Sequence, residues 1–190
     1  DVRLALKYAI DREELVKKIL LGFGSAGNDN PLSKSIKYAI DPEPRHVYDP
    51  DKAKFHLKTA GLNSLKIALS ASEAAFSGSL DTAVLMSESA KACNIDINVV
   101  REASDGYWSN VWMKKPWCMS FWSGRPTADW MFTTAYAAEA KWNDTFWKNP
   151  RFNELLKSAR AELNDTRRGE MYAEMQSLLQ DDGGIMVLMF

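Results

Sequence analysis

Apolar residues recur at helical spacing through Leu4–Ile10 and again through Arg12–Leu21, with Asp11 between them as a cap. Glu14 stands three positions after Asp11, as in a capping box, and Gly22 and Gly24 close the segment. Asp49-Pro50 predicts a third helix, with the cap and the first helical residue both well chosen, stopped by Gly61. The period then changes to two. Leu65–Ser70 and Ile95–Val100 read as strands, separated by a small-residue loop at 72–79 and a helix over 80–93. That strand–helix–strand order predicts a parallel pair. A short aromatic helix over 105–114 follows, carrying Tyr107, Trp108 and Trp112. Residues 117–122 read as a strand buried on both faces, with Trp117, Met119 and Phe121 on one and Cys118, Ser120 and Trp122 on the other. Ser123-Gly124-Arg125-Pro126 breaks it, and Thr127 caps a new helix with Asp129 in its first turn. Helices over 150–163 and 166–180, a Gly183-Gly184 stop and a strand over 185–190 complete the chain. The predicted class is α/β: a mixed, mostly parallel sheet flanked by helices.

One stretch stays outside these periods. Residues 23–48 are rich in Gly, Asn, Asp, Ser and Pro, and a loop of that length serves function or wraps a neighbour. The turn at 123–126 is the other point of interest, because open α/β sheets hold ligands where a strand ends and a helix begins.

Composition narrows the function classes. The 190 residues carry a net charge of −1 with Lys and Arg scattered, which gives no reason to expect nucleic acid. No apolar run approaches the ~20 residues of a membrane-spanning helix. The chain opens at Asp1-Val2-Arg3 on the edge of a helix and stops on an apolar strand, which predicts a piece of a longer protein; the lack of a signal peptide then says nothing of location. Two cysteines, Cys93 and Cys118, and two histidines, His46 and His56, fit neither a disulfide framework nor a metal site by spacing. No phosphate loop or nucleophile elbow occurs, so no catalytic residue, cofactor or metal is expected. All seven tryptophans fall between Trp108 and Trp147, as core or as the wall of a flat solute's pocket. Met171, Met175, Met186 and Met189 read as core filling, and Arg167-Arg168 as a solvated helix face.

Several of these pieces, in this order, resemble the extracytoplasmic solute-binding proteins of peptide, opine and nickel ABC transporters, the bacterial family 5 type. They are Val2–Glu13, Tyr48–Lys54 with Ala60-Gly61, Asp105–Trp108, Trp122–Pro126, Asn149–Leu156 and Asp165–Arg168 with Met171–Gln176. The resemblance implies a single α/β lobe over 1–190, the carboxy-terminal lobe of a type II periplasmic-binding-protein fold, with the 23–48 loop facing the other lobe. It implies capture of a small solute, delivery to the membrane permease of an ABC importer, and a periplasmic or lipid-anchored extracellular location. A hydrolase acting on a small polar substrate, with Asp105, Asp129 and Asp144 as its acids, and a ligand-sensing module are the alternative readings.

The ligand-binding residues implied are Trp122, Ser123, Gly124, Arg125 and Asp129, with Trp108 behind Trp122 and Glu73 on the loop after the first strand. Peptide-binding members carry an acid where Arg125 stands, for the ligand's ammonium group, and an Arg where Glu73 aligns. The inverted charges point to a peptide-like or opine-like solute with an anionic group. Two bland alternatives stand beside this: Arg125 paired with Asp129 to pin the turn, and Glu73 as a solvated loop carboxylate.

Overall fold

Helices α1 (Val2–Tyr8) and α2 (Arg12–Ile19) form where the apolar spacing places them, and the Asp11 carboxylate accepts from the Glu14 N–H at 3.0 Å. The computed structural model describes residues 1–190 and divides them into two units. Unit 1 holds Asp1–Ala26, His46–Trp122 and Leu188–Phe190; unit 2 holds Gly27–Arg45 and Ser123–Val187.

In unit 1, α3 (Pro50–Thr59) lies against α1 and is capped by Asp49, whose Oδ1 accepts from Lys52 N at 3.0 Å. Gly61 ends it at φ +77°, a backbone region that costs glycine little. Strands β1 (Leu65–Ala71) and β2 (Ile95–Arg101) pair in parallel, in register from Leu65 opposite Ile95 to Ala71 opposite Arg101. The crossover helix α4 (Ser79–Lys91) covers them, burying Ala83, Met86 and Ala90 with Leu69, Ile95 and Ile97. Full burial of each large aliphatic side chain contributes roughly 1.5–3 kcal/mol. The short helix α5 (Tyr107–Asn110) is shorter than the pattern over 105–114 suggests.

The strand expected over 117–122 is not there. Its place is taken by one parallel bridge, Cys118 to Ser70, in which Ser70 N–H donates to Trp117 O at 3.1 Å and Met119 N–H to Ser70 O at 2.9 Å. The reason lies in the partner. β1 ends at Ala71 and turns at Ser72, where Ala75 N–H bonds Ser72 O at 2.9 Å, so residues 120–122 have no ladder to join. Nor is the segment buried on both faces: Met119 is buried, whereas Phe121 is exposed. The terminal strand is likewise reduced to an antiparallel bridge between Met189 and Ala26.

Unit 2 is built on three helices: α6 (Ala128–Ala135), α7 (Pro150–Ala161) and α8 (Asp165–Asp182). Its core is aromatic. Phe132 meets Phe152 at 5.3 Å and Tyr172 at 6.2 Å between ring centroids, and Trp147 meets Phe152 at 5.2 Å. Of the four methionines expected in a core, only Met175 is fully buried. Asn164, not Asp165, caps α8, accepting from Arg167 N at 3.0 Å. That leaves the Asp165 carboxylate free to accept from Lys37 Nζ and from the Tyr38 hydroxyl, both at 2.6 Å.

The 27–45 part of the long loop has no regular structure, yet its polar groups are satisfied within unit 2. The Gln176 side chain donates to Tyr38 O and accepts from Ile40 N–H, each at 2.8 Å. It also accepts from Asn30 at 3.0 Å, and Gln180 donates to Pro44 O at 2.7 Å. Two buried glutamines on α8 thus stand in for the ladder partners a strand would have had.

Candidate functional site

The positioning of the central stretch begins with Tyr107. The residue is 1% exposed, and its hydroxyl donates to Met119 O at 2.7 Å and lies 3.4 Å from Ser70 O, locking the bridge segment to β1. Burial pushes the phenol's pKa well above its ordinary value. Sequence reading placed Tyr107 in an aromatic run and in the family piece Asp105–Trp108; nothing in the spacing announces which carbonyl its hydroxyl will reach. Tyr107→Phe is expected to cost roughly 1–3 kcal/mol by leaving the buried Met119 carbonyl unpaired. Urea unfolding would check it, and an unchanged midpoint would show that the carbonyl has another donor.

Next to it, the expected solute-facing aromatics of unit 1 form one edge-to-face chain. Trp108 meets Tyr107 at 5.6 Å, Trp112 at 5.9 Å and Phe121 at 6.1 Å, and Trp112 meets Trp122 at 6.4 Å. Trp108 and Phe121 are exposed, whereas Trp122, Trp112 and Trp117 are half-buried. The open aromatic surface therefore includes Phe121, which the strand pattern had assigned to a buried face.

Glu73 sits on the loop after β1. Its two carboxylate oxygens accept from Gly78 N at 2.8 Å and Leu80 N at 3.1 Å, so it caps α4. Those two backbone donors hold its pKa below the ordinary carboxylate value. It is a bound loop carboxylate, not a merely solvated one.

In unit 2, Ser123 and Gly124 are exposed on the turn and Arg125 is half-buried, its Nη1 donating to Ser123 O at 2.9 Å. Thr127 Oγ1 accepts from Trp130 N at 3.2 Å and starts α6 as the sequence suggests. The Asp129 carboxylate accepts from Arg160 Nε at 2.7 Å and from the Tyr172 hydroxyl at 3.4 Å. The salt-bridge partner of Asp129 is thus a residue of α7, 31 positions away and invisible to local spacing. Beside the start of α6 lies an open cavity of about 320 Å³, lined by Pro126 to Asp129 and by Lys37, Tyr38, Arg168 and Tyr172. No local spacing marks the last four as a group. Arg168 is half-buried, not a solvated face, with Nε donating to Glu162 O at 2.9 Å.

The remaining candidates lie apart. His46 and His56 both contact the Tyr8 ring, at 5.0 and 5.6 Å, and burial lowers the His56 pKa. Neither cysteine is in a disulfide, and burial pushes Cys93 up to about 11. Within unit 2, Asp144 acts electrostatically on the buried Tyr136 hydroxyl, while Asp129 is held by Arg160 and Tyr172.

Residues 1–144 match the family model described as bacterial extracellular solute-binding proteins, family 5 Middle. The chain belongs to this family. A relative, the glutathione-binding protein GsiB of Pectobacterium atrosepticum, is 27% identical over 195 residues, covering 95% of this chain and 37% of its own length. Among solved structures, a dipeptide-binding protein from Pseudoalteromonas in complex with Met-Leu superposes with TM-score 0.88 at 20% identity, covering 99% of this chain and 39% of the other. The binding protein AgaA of A. tumefaciens in complex with agropinic acid superposes at 0.84 with 19% identity, covering 100% and 40%. The family 5 chain described here thus spans a little over a third of the length of its curated relative, and it has the α/β fold of those proteins.

Proposed function

We propose that this family 5 chain is one lobe of a solute-binding protein that captures a small peptide-like or opine-like solute outside the cytoplasm and delivers it to the permease of an ABC importer. The family match over residues 1–144 supports the class of activity, and the relatives named for glutathione, Met-Leu and agropinic acid support the size and polarity of the solute. The observation that carries the finer reading is Arg125, on the turn just before capped helix α6. A guanidinium there offers a planar fork of donors to a carboxylate, next to the positive end of a helix. In this reading Arg125 grips an anionic group, Ser123 and Gly124 leave the turn open to it, and Asp129, held by Arg160, shapes the helix start. Trp108 and Trp122 supply flat apolar surface to the solute's body. Glu73, on the loop after β1, orders that loop by its bonds to the start of α4.

The test is calorimetry on the whole protein with glutathione, Met-Leu and agropinic acid, comparing wild type, Arg125→Ala and Arg125→Lys. Arg125→Ala is expected to weaken the best-bound solute by roughly 2–5 kcal/mol, since the anion is left unpaired. Arg125→Lys keeps the charge but loses the fork, and should also weaken it. Wild-type affinity in Arg125→Ala would make Arg125 a turn pin and leave the solute to another anchor. Turnover of any of these compounds would move the protein to the hydrolase class.

A further inference from the structure

The cavity at the start of α6 is a charged site of its own. Lys37 and Arg168 line it, from the long loop and from α8, against Tyr38, Tyr172 and Pro126 as an apolar wall. The two tyrosine rings stack at 5.2 Å and 14°, which gives that wall a fixed shape. Donors remain on both cations. Arg168 uses Nε and Nη2 on the Glu162 carbonyl, which leaves three of the five guanidinium N–H groups. Lys37 Nζ gives one hydrogen to Asp165 at 2.6 Å and shares a second with the Tyr38 side chain, which leaves one. Thr127 caps only the Trp130 N–H, so the N–H groups of Ala128 and Asp129 in the first helical turn have no partner within the helix. The one acid in the lining, Asp129, is neutralised by Arg160 at 2.7 Å. With Asp165 balanced by Lys37, the surroundings hold three cations to two anions, an excess of one positive charge.

We infer that this cavity takes a second acid group of the solute, so that the solute is a diacid with one carboxylate at Arg125 and the other between Lys37, Arg168 and the start of α6. The inference rests on the reading of Arg125 above and deepens it. An acid entering here exchanges water for charge-assisted donors from two side chains and from a helix terminus, and its methylene body lies along Tyr38, Tyr172 and Pro126. A neutral or singly charged peptide leaves these donors without a partner, and that difference is the basis of selection.

The experiment uses the 190-residue chain. Its backbone amides are followed by NMR while it is titrated to millimolar concentration with glutathione and with its two monoamides, each lacking one carboxylate. Glutathione is expected to shift the Ala128 and Asp129 amides, and one monoamide is expected to lose that response. Arg168→Ala should weaken the response about tenfold. Because Arg168 also ties the α7–α8 connection, Lys37→Ala is the companion variant, expected to weaken the response by a smaller factor with an unchanged spectrum elsewhere. No shift at Ala128 and Asp129, an equal response to glutathione and both monoamides, or full affinity in Lys37→Ala would overturn the inference. If Arg125→Ala binds as wild type while the Ala128 and Asp129 response persists, the reading of Arg125 fails and the cavity stands.

Discussion

Phe132→Ala is expected to destabilise unit 2 by roughly 3–5 kcal/mol, a large share of the 5–15 kcal/mol that a domain commonly has. Phe132 is 0% exposed and lies at the centre of the aromatic core, with Tyr136 at 6.4 Å and Phe152 at 5.3 Å between centroids. Truncation removes the transfer energy of a whole ring and leaves a void that three neighbouring aromatic rings, held by their own contacts, cannot fill. Phe146→Ala is the matched control. That ring is 64% exposed, and its loss should change stability by no more than about 0.5 kcal/mol. Thermal unfolding of both variants checks the pair. Equal melting temperatures would mean that the ring cluster at Phe132 is not the core of this unit.

Gln176→Leu is expected to free the 27–45 segment at a cost of about 3 kcal/mol, because two backbone groups and the Asn30 amide lose their partner together. Leucine nearly matches the volume, so the effect isolates the hydrogen bonds from packing. Hydrogen exchange reads it directly: the Ile40 amide, now bonded to Gln176 Oε1 at 2.8 Å, should lose its protection. Undiminished protection there would show that the segment is held instead by the Asn28–Asp41 and Gln180–Pro44 bonds. The outcome bears on the proposed second acid subsite, since Lys37 and Tyr38 belong to this segment and Gln176 bonds the Tyr38 carbonyl.

The contacts of Phe132 and Gln176 differ in how far the sequence announces them. The apolar positions of α7 and α8 announce a packed face, but that Phe132, Phe152 and Tyr172 meet at one point depends on how three helices cross. The glutamines were less visible still. A Gln on a helix reads as surface, and only the buried course of a chain without strands or helices explains why two of them are inside.

What the sequence determined by itself was local. Asp11, Asp49, Thr127 and Asn149 each cap the helix that follows, because a side-chain oxygen reaches a backbone N–H two or three residues on without help from the rest of the protein. The parallel pair β1–β2 was also legible, since strand–helix–strand connectivity leaves few other arrangements. The family pieces in their order added the architecture around these elements. Tertiary structure alone decided what depends on a partner far along the chain. Whether 117–122 becomes a strand depends on where β1 ends, and β1 ends one residue past the bridge at Ser70. The partner of Asp129 is Arg160, and the cavity of Lys37, Arg168, Tyr38 and Tyr172 draws on two segments more than a hundred residues apart in sequence. Caps and periods are set by the backbone's own geometry over a few residues. Ladders, ion pairs and cavities need a second segment, and no local pattern says which one arrives.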